Sequence, residues 1–154
     1  PRSSSAASDV YKRQAQLTDV AELQNLEEMA RRRIADERGG ERLLEVTPPR
    51  DDQWFAEGYV TLVALINDVP VGFLSMRTGA ISFIEGVFVH PDAREVGCGD
   101  ALVDEARNIA KERGGRRLEA IALPGDRETK NLYERAAITA KAITVAVDLS
   151  DPSS

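Results

Sequence analysis

The sequence predicts a mixed α/β (α+β) fold, one mostly antiparallel sheet flanked by helices. Three observations carry that expectation. Three β-branched-rich stretches, Tyr59 to Asp68, Val71 to Met76 and Ile81 to His90, follow one another with only hairpin-length turns between them. Apolar residues at helical spacing run before this block and again after it. Two glycines, Gly97 and Gly99, stand where the third stretch hands over to the later helical pattern.

Taken in order, the first helix opens at Thr18, a good N-cap, with Asp19 in its first turn. Val20, Leu23, Leu26, Ala30 and Ile34 keep its apolar face, and Gly39-Gly40 stops it. A loop, TPPRDDQWFAEG, then holds a short helix after Asp51 or Asp52 that presents Trp54 and Phe55. The three strands follow, with Pro70 at the start of the second, where a missing donor is tolerated. The glycine turn leads into a helix carrying Leu102, Ala106 and Ile109 on one face, ended by Gly114-Gly115. RRLEAIALP is a further strand, and DRETKNLYERAA a short helix with Asp126 as its N-cap. Ile143, Val145, Val147 and Leu149 alternate as a final strand.

The chain has 154 residues, one cysteine, one histidine and a net charge of −6. That length suits one domain burying about two thirds of its unfolded surface. No apolar run approaches the roughly 20 residues of a membrane span, so no membrane role is expected. The lone Cys98 excludes an internal disulfide and fits a reducing, cytoplasmic setting. Net acidity argues against nucleic acid as the main partner and is compatible with cationic amines. One His and one Cys give no ligand spacing for a metal.

The segment SSAASDVYKRQ, Ser4 to Gln14, lacks the apolar core of a secretion signal. It resembles the in-frame translation of a transposase-based sequencing-library adapter, as in a metagenomic read. Residues 1–14 are therefore expected to be a non-native scar, 15–150 a single domain, and 151–154 a disordered tail.

The glycines decide the functional reading. A helix N-terminus exposes unpaired N–H groups and the positive end of the macrodipole, which attract phosphate. Glycine lets the phosphate approach and permits positive φ. The plain alternative is a tight strand-to-helix turn and nothing more. A dinucleotide turn would want a third glycine where Leu102 stands and would follow the first strand of a βαβ unit.

The stretch VFVHPDAREVGCGDAL resembles the signature of the GCN5-related N-acetyltransferase superfamily, with Val89, Pro91, Arg94, Gly97 and Gly99 in matching places. The resemblance covers roughly Leu17 to Leu149. It departs from the pattern at Glu95, usually glycine, and at Cys98, usually aliphatic. It implies that the amides of Arg94, Glu95, Val96, Gly97, Cys98 and Gly99 hold the pyrophosphate of acetyl-CoA. It also implies that the strand before the turn splays from its neighbour, leaving Phe88 and Val89 to pair with the pantetheine arm. The family fold begins with an edge strand that would here be truncated or replaced. Hence β-structure is expected somewhere in Val10–Gln16, and disorder in Pro1–Ser8.

Acetyl transfer has two proton problems, an alkylammonium of pKa near 10 and a leaving thiolate near 8.5. By the resemblance, Tyr133 is the phenol beside the CoA sulfur, and Asp126 stands where the family has an asparagine near CoA. Glu85, flanked by Phe83, Ile84 and Val87, is the best carboxylate for a general base, those neighbours desolvating it toward a neutral pKa. A solvent-facing glutamate is the alternative. His90 reads as a loop residue and Cys98 as a small hydrophobe. Trp54, Phe55 and Glu57 are candidates for the acceptor pocket. The function expected is transfer of acetyl from acetyl-CoA to a small amine or peptide amine. The alternative, suggested by Asp126 and by Ala137-Ile138 in place of the family's Gly-Phe, is an acyl-CoA-binding protein acting through protein contacts. A homodimer is a candidate assembly.

Overall fold

The computed structural model describes residues 10–94 and 96–150. Five strands lie in the order β1-β2-β3-β4-β5. They are β1 (Val10–Gln14), β2 (Tyr59–Ile66), β3 (Val69–Arg77), β4 (Ile81–Val89) and β5 (Arg117–Ala120). The first three pairings are antiparallel and the last, β4 with β5, is parallel. Four helices cover the faces: α1 (Val20–Ala35), α2 (Gly40–Val46), α3 (Cys98–Glu112) and α4 (Arg127–Arg135).

Period two in the strands builds both cores. Along β2, Val60, Leu62 and Ala64 face α3 and join Leu102, Val103 and Ala106. The alternate Val63 and Leu65 face α1 and join Leu23, Leu26, Trp54 and Phe73. A strand buried on both faces is therefore apolar along its length but for Thr61, whose hydroxyl donates to the Trp54 carbonyl at 2.6 Å, whereas α1 and α3 need only one stripe each. The β2–β3 hairpin turns on Asn67 and Asp68, both at positive φ (52° and 66°), the geometry that matches strand twist.

Val10–Gln14 does form the edge strand, in register from Val10 opposite Ile66 to Gln14 opposite Leu62. The expected disorder of Pro1–Ser8 falls outside the described residues, as does the 151–154 tail. The start of α1 differs from expectation. Its N-cap is Asp19 rather than Thr18, after a 3₁₀ turn at Leu17–Asp19. Asp19 is buried, accepts both guanidinium nitrogens of Arg13 (2.7 and 3.1 Å) and takes the Gln16 N–H at 2.7 Å.

Those bonds, the Arg13 hydrogen bond first, hold the Asp19 carboxyl below the ordinary carboxylate range. A depressed native pKa stabilises the fold above the unfolded value near 4, and the contribution disappears as pH falls through the native value. Asp19→Asn is therefore expected to cost about 2 kcal/mol at pH 7, the scale of a charge-assisted hydrogen bond. Thermal melts should show the gap to the parent closing toward pH 2. A gap of equal size at both pH values would refute the assignment.

Two other expectations fail. Gly39-Gly40 was expected to stop the first helix, but α1 already ends at Ala35 with Asp36 as its C-cap, and Gly39 (φ 85°) instead caps a second helix, α2. The final strand does not form. Residues 139–148 carry no strand pairing, and Ile143, Val145, Val147 and Leu149 are 77–91% exposed. Alternation supplies a face for a strand, but a strand also needs a hydrogen-bonding edge, and this stretch pairs with none among the described residues.

Candidate active site

The parallel pairing of β4 with β5 stops at Ile84 opposite Ala120. Beyond it, Glu85 to Val89 have no β5 partner, and the chain on the other side runs on as Ile121, Ala122 and Leu123. A cavity of about 270 Å³ opens in this splay. Its walls are β4 from Phe83 to Phe88, the C-terminal half of α1, α2 with the loop after it, and one side of α4.

The cavity brings together Glu85, Phe88, Asp126 and Tyr133, which are far apart in sequence. Glu85 is the extra residue of a β-bulge, since Ser75 pairs with Gly86 and Met76 with Ile84. Its side chain is about a quarter exposed, with Arg77 at 3.9 Å, so the apolar sheath expected from Phe83, Ile84 and Val87 does not enclose it. Phe88 is buried under the Arg94 guanidinium, 5.6 Å above its ring. Tyr133 is 6% exposed. Burial first, and the nearby Asp126 carboxylate second, raise its phenol well above the ordinary value.

Asp126 caps α4 as its sequence position suggests, accepting the Thr129 N–H (3.1 Å) and hydroxyl (2.6 Å). It also takes Arg33 at 2.9 Å. These bonds commit its carboxylate, and its place on the wall is structural as well as cavity-facing. At the end of α4, Ala137 adopts φ 65°, the conformation a glycine would take there.

The glycine turn lies beside the cavity. Gly97 caps α3 at φ 86°, no side chain among the described residues caps the first-turn amides of α3, and a Cβ built on Gly97 meets nothing within 4 Å among those residues. Gly99 serves packing instead: a Cβ there would sit 3.2 Å from a Leu132 methyl of α4. Arg94 donates to the Val89 carbonyl (3.1 Å) and pairs with Glu128 (3.2 Å), tying the turn to α4. Val96 is half exposed. Glu95 lies outside the described residues. Cys98 is buried, which raises its thiol, in keeping with a small hydrophobe. His90 accepts the Asp92 N–H at 3.1 Å and stands at a strand end.

Trp54, Phe55 and Glu57 do not line the cavity. Trp54 is 1% exposed in the core, edge-on to Phe73 at 5.4 Å, and its indole N–H has no partner among the described residues. Phe55 and Glu57 face solvent. Arg31, Arg33, Glu37, Leu43, Arg50 and Gln53 do line the cavity, and sequence reasoning did not single them out. The one trace of them was the position of the segment, Arg31 to Gly58, between the first helix and the first long strand.

Among the described residues no helix is long and apolar enough to cross a membrane, and no cluster of His, Cys, Asp or Glu is placed to hold a metal. The sequence model of the acetyltransferase (GNAT) family matches residues 21–137. None of the curated proteins compared with the chain matches it. Among solved structures, the chain is similar to a CoA complex of the aminoglycoside N-acetyltransferase AAC(6')-Iy, at 15% identity over 90% of this chain and 93% of that one, TM-score 0.68. A ribosomal-protein-alanine N-acetyltransferase from Brucella melitensis biovar Abortus 2308 is similar at 21% identity over 91% and 99%, TM-score 0.65. An aminoglycoside acetyltransferase from an uncultured soil metagenomic sample, in complex with sisomicin, is similar at 14% over 92% and 95%, TM-score 0.63.

Proposed function

Because the chain belongs to the acetyltransferase (GNAT) family, and so is an acetyl-CoA-dependent N-acetyltransferase, we propose that the β4–β5 splay is where acetyl-CoA meets a primary amine. The observation that carries this is the cavity itself. It sits where β4 gives up its neighbour, so the edge of β4 past Gly86 has no strand beside it and can receive an extended pantetheine arm, with the Glu85 and Val89 carbonyls held by Arg50 and Arg94 at its two ends. Phe88 and Val89 lie on that edge. At its far end the open space over Gly97 and the first-turn amides of α3 suit a pyrophosphate, with Arg94, Glu95, Val96, Gly97, Cys98 and Gly99 as the turn that receives it. Asp126 borders the same path and fixes the start of α4.

The chemistry follows from the groups on the wall. Acetyl-CoA supplies the activated thioester. Tyr133 is protonated at neutral pH, as any phenol is, and burial raises its pKa further, so it stands as a hydrogen-bond and proton donor to the departing sulfur. Glu85, in the bulge and open to the cavity, takes the proton of the incoming ammonium directly or through a water. The acceptor enters between α1, α2 and the loop after α2. Glu37 lines that entrance and offers a carboxylate to a positively charged amine.

Titration calorimetry with acetyl-CoA and with NAD, followed by thiol release over small amines, aminoglycosides and peptide N-termini, tests the proposal. Saturable acetyl-CoA binding, no NAD binding and thiol release with at least one amine are expected. Acetyl-CoA binding with no release across the panel would favour a non-catalytic acyl-CoA-binding protein.

A further inference from the structure

Arg50 is the most heavily committed cation on the cavity wall. Its guanidinium bonds Glu27 of α1 through Nη1 and donates through Nη2 to the Glu85 carbonyl at 2.7 Å. Its own backbone N–H donates to the other Glu27 oxygen at 2.9 Å. It lies 5.7 Å from the ring centres of both Trp54 and Phe73. The Glu27 carboxylate is 4% exposed and the Arg50 side chain 14%, so the pair is held in a largely dry wall.

This pair does more than close a loop, because of where it touches β4. The Glu85 carbonyl belongs to the bulged residue, whose peptide has no partner in the regular ladder to fix its orientation. Position 86 is glycine, and a Cβ there would fall 2.5 Å from Arg50 Nη2. Gly86 thus leaves the space through which the guanidinium reaches the strand. We infer that Arg50, oriented by Glu27 and admitted by Gly86, is a positioning residue that fixes the Glu85 peptide and so aims the Glu85 carboxylate into the cavity. Arginine suits the task because its planar fork satisfies the carboxylate and the carbonyl together, which a lysine ammonium on a flexible stem does not.

The inference rests on the reading of Glu85 as the base, and the test keeps the two apart. Arg50→Lys retains the charge opposite Glu27, so the fold should persist by circular dichroism and thermal melt. Turnover should fall on the order of tenfold to a hundredfold, as for a catalytic group displaced by about an ångström. KM for acetyl-CoA should hold, since the one β4 backbone group Arg50 bonds is the Glu85 carbonyl, outside both the phosphate turn and the stretch past Gly86 proposed for the pantetheine arm. Gly86→Ala, which crowds the guanidinium without changing any charge, should give the same split and serves if Arg50→Lys does not fold. In a Glu85→Gln background Arg50→Lys should cost less than about twofold more, because the group it aims is already gone. Parent turnover in Arg50→Lys beside a slow Glu85→Gln would overturn this inference alone. An undiminished Arg50→Lys effect in the Glu85→Gln background would also overturn it. Parent turnover in Glu85→Gln would sink the base assignment, and the inference with it.

Discussion

Tyr133→Phe is expected to bind acetyl-CoA about as tightly as the parent and to turn over roughly a hundredfold more slowly. The ring is 6% exposed and packs in the core with Leu132 and Leu102, so phenylalanine keeps its contacts and removes only the hydroxyl. General acid catalysis is typically worth about a hundredfold to ten-thousandfold. The low end applies here for a stated reason. Burial raises the phenol above its ordinary pKa, while a thiolate near pKa 8.5 is the group to be protonated, so complete transfer runs uphill. Much of the effect is then a hydrogen bond to the developing thiolate, about 3 kcal/mol of barrier for a hundredfold. The same raised pKa predicts no loss of turnover from phenol ionisation up to about pH 10. Donors whose thiolates leave more readily should be less sensitive to the substitution. Single-turnover kinetics would decide: a parent rate in Tyr133→Phe, with chemistry limiting, would make the tyrosine structural and water the acid.

The parts of this molecule that were legible in its sequence are those governed by local periodicity. Strands β2, β3 and β4 show as β-branched-rich runs of eight or nine residues and helix α3 as an apolar stripe over fifteen, and Asp126 announces α4 because a cap and its Thr129 partner are three residues apart. The parts that were not legible depend on partners far away in the chain. Glycine at 39 looks like a helix stop, yet the same positive φ opens α2, a short helix whose polar residues carry no clear stripe. The apolar row from Ile143 to Leu149 has a strand's pattern without a strand's neighbour among the described residues. Trp54 was the conspicuous aromatic of its loop, but a residue that large is drawn into the core wherever it fits, and it fits against Phe73. The loop's working residue is Arg50, whose role comes from Glu27, 23 positions earlier, and from a bulge 35 positions later. Neither distance leaves a trace in composition or period. The bulge itself was invisible for the same reason, since it is a mismatch between two strands and not a property of either.

Substitutions at Gly97 separate the two reasons a glycine can stand at the phosphate turn. The residue holds φ 86°, so any β-branched side chain is strained there, and Gly97→Val should lose about 1–2 kcal/mol of stability. In a domain of this size that is a fall of roughly 2–8 °C in melting temperature. The open space in front of it is a different matter, because a Cβ at Gly97 meets nothing within 4 Å among the described residues. If that space receives the pyrophosphate, any side chain should cost affinity whether or not it strains the backbone. Gly97→Asn makes the distinction, since asparagine tolerates the left-handed conformation better than other non-glycine residues. It should melt close to the parent and yet bind acetyl-CoA about tenfold to a hundredfold more weakly, the loss of one or two charge-assisted hydrogen bonds. Affinity for the dephosphorylated pantetheine arm alone, which never reaches the turn, should be unchanged. Parent-like affinity for acetyl-CoA in Gly97→Asn would mean that the glycine serves only the turn, and that the pyrophosphate lies elsewhere.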